Sequence, residues 1–130
     1  MRVIVTEYQP AWVEQFEEEA QALKQILKEN CLKVEHIGST SVPNLAAKPI
    51  IDFLVIVEEI EKVDLLQGEF ERIGYEYMGE FGLSGRRYLR KGLIKRTHHV
   101  HIYQFDNTQE ILRHLAFRNY LRENPAIATT

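Results

Sequence analysis

Apolar positions along the chain change period several times, and each change marks an element. Residues 2–5 (Arg-Val-Ile-Val) read as a short strand. From Pro10, a residue suited to a first helical turn, Trp12, Phe16, Ala20, Leu23 and Leu27 recur at three- and four-residue steps, predicting a helix to about Asn30. Glu14, Glu17, Glu18 and Glu19 crowd its first half, where carboxylates favour the helix N-terminal dipole and otherwise form a solvated face. Residues 33–37 predict a second short strand. Residues 49–57 (Pro-Ile-Ile-Asp-Phe-Leu-Val-Ile-Val) are almost continuously apolar, the pattern of a central strand covered on both faces.

Further along, Ile60, Val63, Leu66, Phe70 and Ile73 predict a second helix over 59–73, ended by Gly74. Short strands are expected at 75–79, 86–91 and 98–105, separated by glycines at 79, 82, 85 and 92. Thr108, a candidate N-cap with Glu110 close behind, opens a third helix through Ile111, Leu112, Leu115 and Tyr120 to about Glu123. The order β-α-β-β-α-β-β-β-α lacks regular alternation. It fits an α+β domain, a mixed β-sheet packed with about three helices, better than a doubly wound fold. With no repeat, low-complexity tract or linker, residues 1–130 read as one domain.

Charge and cysteine content narrow the partners. A formal net charge of −3 argues against the clustered Lys and Arg that duplex nucleic acid requires, so no such partner is expected. Cys31 is the single cysteine and reads as a small buried hydrophobe. No apolar run reaches transmembrane length and no signal peptide is visible, so a cytoplasmic protein with no membrane partner is expected.

Candidate chemistry begins at Gly38-Ser39-Thr40-Ser41. A Gly- and Ser-rich turn leading into a short helix can aim N–H groups and hydroxyls at a phosphate, with Gly38 allowing close approach. Such a short pattern recurs by chance as a capped turn, and it lacks the second glycine and Lys-Ser or Lys-Thr ending of a P-loop. Asp52 changes its weight. Side chains alternate along a strand, so Ile50, Asp52, Leu54 and Ile56 share a face and a carboxylate interrupts an apolar row. A carboxylate beside a phosphate-holding loop is where Mg²⁺ can bridge protein and nucleotide, and Lys48 adds positive charge at the same end.

Two further groups can converge there. His99, His101, Tyr103 and Phe105 share one face of their strand, so the two imidazoles are neighbours able to ligate metal, hold phosphate or move a proton. His36 and His114 read as structural. Arg86, Tyr88 and Arg90 face one way and Arg87, Leu89 and Lys91 the other; one row can clamp phosphate through guanidinium groups.

The run His36-Ile37-Gly38-Ser39-Thr40-Ser41-Val42-Pro43, followed by Leu45-Ala46-Ala47-Lys48-Pro49-Ile50-Ile51-Asp52, resembles the signature of the GrpB family, assigned to the nucleotidyltransferase superfamily. Tyr8-Gln9-Pro10-Ala11-Trp12, Gly85-Arg86-Arg87-Tyr88, Thr97-His98-His99-Val100-His101 and the segment from His114 to Leu121 agree, so the resemblance spans nearly the whole chain. It implies a nucleotidyltransferase-like core in which a Gly-Ser turn opens a helix that holds nucleotide phosphates and an Asp-x-Asp or Asp-x-Glu pair binds two metal ions. Gly38, Ser39 and Asp52 match; Leu54 stands at the second acid. Asn44 replaces a usual glycine and Asn119 a common aspartate.

The resemblance therefore implies an enzyme moving a nucleotidyl group from an NTP to an unknown acceptor. Asp52, His99 and His101 would be catalytic, Asp52 would hold Mg²⁺, and Gly38, Ser39, Thr40, Ser41, Lys48, Arg86 and Arg87 would bind phosphates. The alternative is a non-catalytic module of the same fold that binds a nucleotide, a coenzyme A-like ligand or a metal. GrpB-like chains usually continue into another helical stretch, whereas this one stops at Thr130 after an irregular tail from Pro125. An apolar surface near the first or third helix is then available to a partner chain, which is compatible with a homo-oligomer.

Overall fold

The computed structural model describes residues 5–124. Helix α1 (Ala11–Leu27) runs through a 3₁₀ turn (Lys28–Asn30) into β1 (Cys31–Ile37), and a second 3₁₀ turn (Ser39–Ser41) precedes β2 (Ile51–Val57). A 3₁₀ segment (Ile60–Leu66), α2 (Gln67–Arg72), β3 (Tyr75–Tyr77), β4 (Arg86–Lys91), β5 (His98–Gln104) and α3 (Thr108–Glu123) follow. The strands form one sheet in the order β1-β2-β5-β4-β3. β2 and β5 run parallel and the other neighbours antiparallel, giving the mixed α+β architecture expected from the irregular element order.

Strand alternation divides the core in two. Phe53, Val55 and Val57 of β2, with Val100 and Ile102 of β5, pack against Trp12, Leu23 and Leu27 of α1 and against Val63 and Phe70. On the opposite face Leu54, Tyr103 and Ile37 meet Ile111 of α3. Both faces of β2 are therefore covered along most of its length, which explains why its sequence is apolar at consecutive rather than alternate positions.

Several elements depart from the sequence expectation. Residues 2–4 of the first expected strand, and the tail from Pro125, lie outside the described residues; Val5 is not in a strand, and Thr6 forms an isolated bridge to Ala47. The expected helix over 59–73 is two pieces, because Ile60, Val63 and Leu66 repeat every third residue, the period of a 3₁₀ helix, and only from Gln67 does the chain become α-helical. The expected strand over 75–79 ends at Tyr77. At the start of α3 the cap position belongs to Asn107 rather than Thr108, and no side-chain bond caps it.

Glu19 is not on a solvated face. It flanks the apolar stripe of α1 and turns inward, where its Oε2 accepts hydrogen bonds from Tyr75 Oη and Lys91 Nζ, each 2.6 Å long. Burial pushes its carboxyl up, but the Lys91 and Tyr75 hydrogen bonds outweigh that and hold it below the usual carboxylate range.

Helix α3 docks through the stripe Ile111, Leu115, Arg118 and Arg122, the last two polar. Arg118 Nη1 donates to Glu35 Oε1 (2.9 Å) and to the carbonyl of His36 (3.2 Å), and Arg122 Nε donates to the carbonyl of Ser41 (3.0 Å). Arg118 Nε also donates to Asn119 Oδ1 (3.0 Å), so Asn119 remains a neutral partner and Glu35 of β1 supplies the charged one. Leu112 and Tyr120, which mark the helix in the sequence, lie off this stripe and are exposed together with Phe117.

Candidate functional site

The site forms where β1 ends and β2 and β5 begin. Register places Asp52 opposite Ile37 on one side and His99 on the other, and His99 opposite Arg90 of β4. The next row on the same face is Leu54, His101 and Tyr88. His99 Nδ1 comes within 3.3 Å of Asp52 Oδ1, and both side chains remain partly exposed.

Gly38 is what allows Asp52 to sit there. Its φ of 75° and ψ of −178° lie in a backbone region that is essentially restricted to glycine. A Cβ at this position would meet Asp52 Oδ2 at 2.4 Å, so the carboxylate packs directly on the glycine backbone. The glycine in this motif therefore serves the acid as well as any phosphate approach.

The following turn does not open a long helix. Ser39–Ser41 is a single 3₁₀ turn whose inner hydroxyls are engaged by the protein. His36 Nε2 donates to Thr40 Oγ1 (3.0 Å), Thr40 Oγ1 donates to the carbonyl of Ile50 (3.0 Å), and Ser41 Oγ donates to the carbonyl of Gly38 (2.6 Å). The hydroxyls of Thr40 and Ser41 brace the turn, contrary to the expectation that they face phosphate. Ser39 is exposed. With Lys48, Asp52 and His99 it lines an open recess of about 400 Å³.

The histidines divide by environment. His36 stacks on Phe16 at a centroid distance of 4.7 Å; burial, then the charges of Arg122 and Arg118, push its imidazole down to about 4. It is a neutral structural group, as its sequence reading expects. His101 lies between Tyr88 and His114, with ring centroids 5.2 and 5.1 Å away. Burial, followed by the charges of His114 and Arg86, pushes it down to about 3. Its Nδ1 is buried and has no hydrogen-bond partner among the described residues. A group so resistant to protonation can position a ligand but makes a poor proton carrier near neutrality.

The two arginines are not free for phosphate. Arg87 points to the face opposite Asp52, where its Nε and Nη2 reach the Asp64 carboxylate at 2.8 and 3.1 Å. Arg86 is on the Asp52 face but at the far end of β4, where its guanidinium donates to the carbonyls of Glu80 and Phe81 and lies 5.0 Å from the centroid of the Tyr88 ring. Sequence reasoning missed Tyr88 and Arg90 as neighbours of the histidine pair. Their shared face was visible in the alternation of β4, but the register that aligns them with His101 and His99 was not. A larger recess of about 510 Å³ opens between α1 and the β4–β5 loop, lined by Trp12, Lys95, Arg96 and His98 among others, on the side of the sheet away from Asp52.

The resemblance implies two metal ions, and the residues present do not fit a pair. Leu54, at the second acid position, is fully buried beneath Ile111, and no three His, Cys, Asp or Glu side chains among the described residues converge to hold a metal. One carboxylate and one imidazole face the recess.

Comparison with known proteins agrees with the architecture. The chain is 48% identical over 127 residues to the UPF0157 protein YqkA of Bacillus subtilis, covering 98% of this chain and 37% of that protein. It is 31% identical over 133 residues to the glutamate-rich protein GrpB of Alkalihalophilus pseudofirmus, covering 97% and 75% respectively. Coverage of the first three curated relatives is 37%, 52% and 62% of their lengths, so the chain spans less than two thirds of each. The crystal structure of the conserved protein GrpB from Enterococcus faecalis superposes with a TM-score of 0.95 at 98% identity, over 97% of this chain and 76% of that one. More distantly, the Cid1 poly(U) polymerase bound to MgATP shares the fold, with a TM-score of 0.57 at 13% identity over 91% of this chain and 39% of that one. The GrpB protein family profile matches residues 2–130, and the chain belongs to the GrpB family, with a nucleotidyltransferase-like fold.

Proposed function

We infer that this domain binds a nucleotide through its phosphates in the recess lined by Ser39, Lys48, Asp52 and His99, with Gly38 packed behind Asp52, together with a divalent cation. The observation that carries this reading is the convergence of a cationic Lys48, the exposed Ser39 and a carboxylate pinned on a glycine turn in one 400 Å³ recess. Phosphate oxygens need positive charge and hydroxyl or N–H donors, and a carboxylate beside them retains a shared cation. Fold relatives such as Cid1, seen with MgATP and with a UTP analogue, support the reading at the level of the fold.

Transfer of the nucleotidyl group to an acceptor hydroxyl is the second reading. What favours it is the contact between His99 and Asp52: an imidazole oriented by a carboxylate can take a proton from an acceptor. Against full catalytic competence stands Leu54, which removes the second acid. Binding and turnover are separated by calorimetry with ATP and UTP in the presence of a divalent cation, followed by radiolabelled NTP with mixed acceptors. Wild type is expected to bind and Asp52→Asn to lose at least tenfold in affinity. Absence of any nucleotide binding by folded wild type would overturn the reading.

A further inference from the structure

We propose that two copies of this chain pair through the free edge of β1, about a two-fold axis at Val34, so that their sheets join into one and their α1 helices lie side by side across the seam.

The direction of the main-chain groups along β1 follows from the sheet. β1 is the outermost strand on its side, and no strand among the described residues covers its far edge. Ile51 N–H donates to the carbonyl of Thr97, and Phe105 N–H to the carbonyl of Val57, so Ile51 and Val57 turn their main-chain groups towards β5. Backbone direction alternates along a strand, which leaves Asp52, Leu54 and Ile56 turned towards Ile37, Glu35 and Lys33 of β1. Val34 and His36 therefore point their N–H and C=O groups outward. The hydrogen bond from Arg118 Nη1 to the carbonyl of His36 agrees with this and occupies that end of the edge. A register shift between Cys31 and Lys33 disrupts the other end. The stretch left for pairing is centred on Val34.

An unpaired edge is a template for another strand, and this one is complementary to its own reverse. In an antiparallel pair of β1 strands centred on Val34, each Val34 exchanges both main-chain hydrogen bonds with its counterpart, and Lys33 of each copy stands opposite Glu35 of the other. Within one chain Lys33 already pairs with Glu35 at 2.9 Å, so on association these charges change partners and none is stranded.

On the opposite face of the sheet the same axis acts on α1. A three-residue turn joins α1 to β1, so the helix runs antiparallel to the strand. Glu17, Ala20, Gln21 and Lys24 line, with Val34, an open recess of about 510 Å³ along this border. Steps of three, four and seven residues put these four on one stripe, in which Ala20 is small and buried and the other three are exposed. Because Ala20 and Val34 share the recess, an axis through Val34 brings two such stripes together antiparallel. Glu17 of each copy then faces Lys24 of the other, and Ala20 faces Gln21. The strand edge alone fixes the axis, and the helix stripe is independently charge-complementary about it. The pairing stretch is short, so the dimer is expected to be weak and reversible.

Sedimentation equilibrium of the full chain over a concentration series tests the proposal. Wild type should show a monomer–dimer equilibrium. Val34→Pro removes an outward N–H that the chain's own sheet does not use, and should abolish dimerisation while thermal unfolding stays cooperative. Glu17→Lys sets like charges against each other twice per dimer and should weaken association by about tenfold. Adding Lys24→Glu to it reverses both signs and should restore the wild-type constant. Both positions are exposed, so this charge swap reads the interface even where Val34→Pro fails to fold. Wild type that remains monomeric up to about 1 mM overturns the proposal. So does association that Glu17→Lys leaves unchanged, or that the double variant does not recover. A dimer lost instead on Phe117→Ser overturns it too, since the contact would then lie on the exposed face of α3.

Discussion

Asp52 and Phe53 are adjacent on β2 and belong to different worlds. Phe53 points into the face covered by α1, where it is fully buried, with ring centroids 5.2 Å from Phe16 and 5.9 Å from His98. Asp52 points into the face only partly covered by α3, beside Gly38 and His99. The first face holds the large apolar cluster, with ion pairs of Glu19 with Lys91 and of Asp64 with Arg87 at its margin. On the second face the apolar contact with α3 is confined to a few residues, and the rest carries polar and aromatic groups. The difference teaches that one strand both anchors the fold and presents the chemistry, because its alternate residues meet different environments.

That contrast yields graded expectations. Phe53→Ala should lower unfolding free energy by about 3–5 kcal/mol in urea or thermal denaturation, the transfer and cavity terms for a large buried ring. A loss below about 1 kcal/mol would mean that the α1 face is not the stabilising one. Acidification tests buried His36, whose imidazole is held neutral down to about 4 against an ordinary value of 6.5. Between those pH values the unfolded chain takes up a proton that the folded chain refuses. The stability is therefore fully present above about 6.5 and falls as pH drops towards 4, by roughly 3 kcal/mol for this group. His98 and His114, also depressed by burial first, act in the same direction. His36→Gln should remove about one proton from the slope of stability against pH.

Gly38→Ala joins the two halves of the comparison, since it strains the backbone and displaces Asp52 together. It should cost about 2 kcal/mol in stability and abolish nucleotide affinity in calorimetry. Retained affinity would show that the Asp52 position is immaterial. Glu19→Gln keeps a hydrogen-bond acceptor for Tyr75 but removes the charge partner of Lys91, and should lower stability by about 1–2 kcal/mol at neutral pH. Its effect should vanish in acid, because a carboxyl held below its usual pKa contributes above the unfolded value and loses that contribution as pH falls through the folded one. Asp52→Asn should change stability least, by less than about 0.5 kcal/mol, while weakening nucleotide binding at least about tenfold. A large destabilisation there would erase the distinction between the two faces.

Much of the architecture was legible because it follows from local periodicity. The stripe from Trp12 to Leu27 predicts α1, and the continuous apolar run before Val57 predicts a strand covered on both sides. Where period three and period 3.6 share the same residues, as at Ile60, Val63 and Leu66, a short pattern did not distinguish a 3₁₀ segment from a longer helix. The inward turn of Glu19 was not legible, because its partners Tyr75 and Lys91 are 56 and 72 residues away.

For the site, sequence alone determined the chemical inventory and the faces on which it lies: a glycine turn, one acid at Asp52, an apolar Leu54 in place of a second, and alternate histidines on one strand. Tertiary structure decided which of these meet. Strand register set His99 rather than His101 beside Asp52, internal hydrogen bonds withdrew Thr40 and Ser41, and Asp64 and the 80–81 carbonyls occupied Arg87 and Arg86. The physical reason is that alternation is a property of each strand by itself, whereas pairing, burial and hydrogen-bond competition depend on segments far apart in the chain.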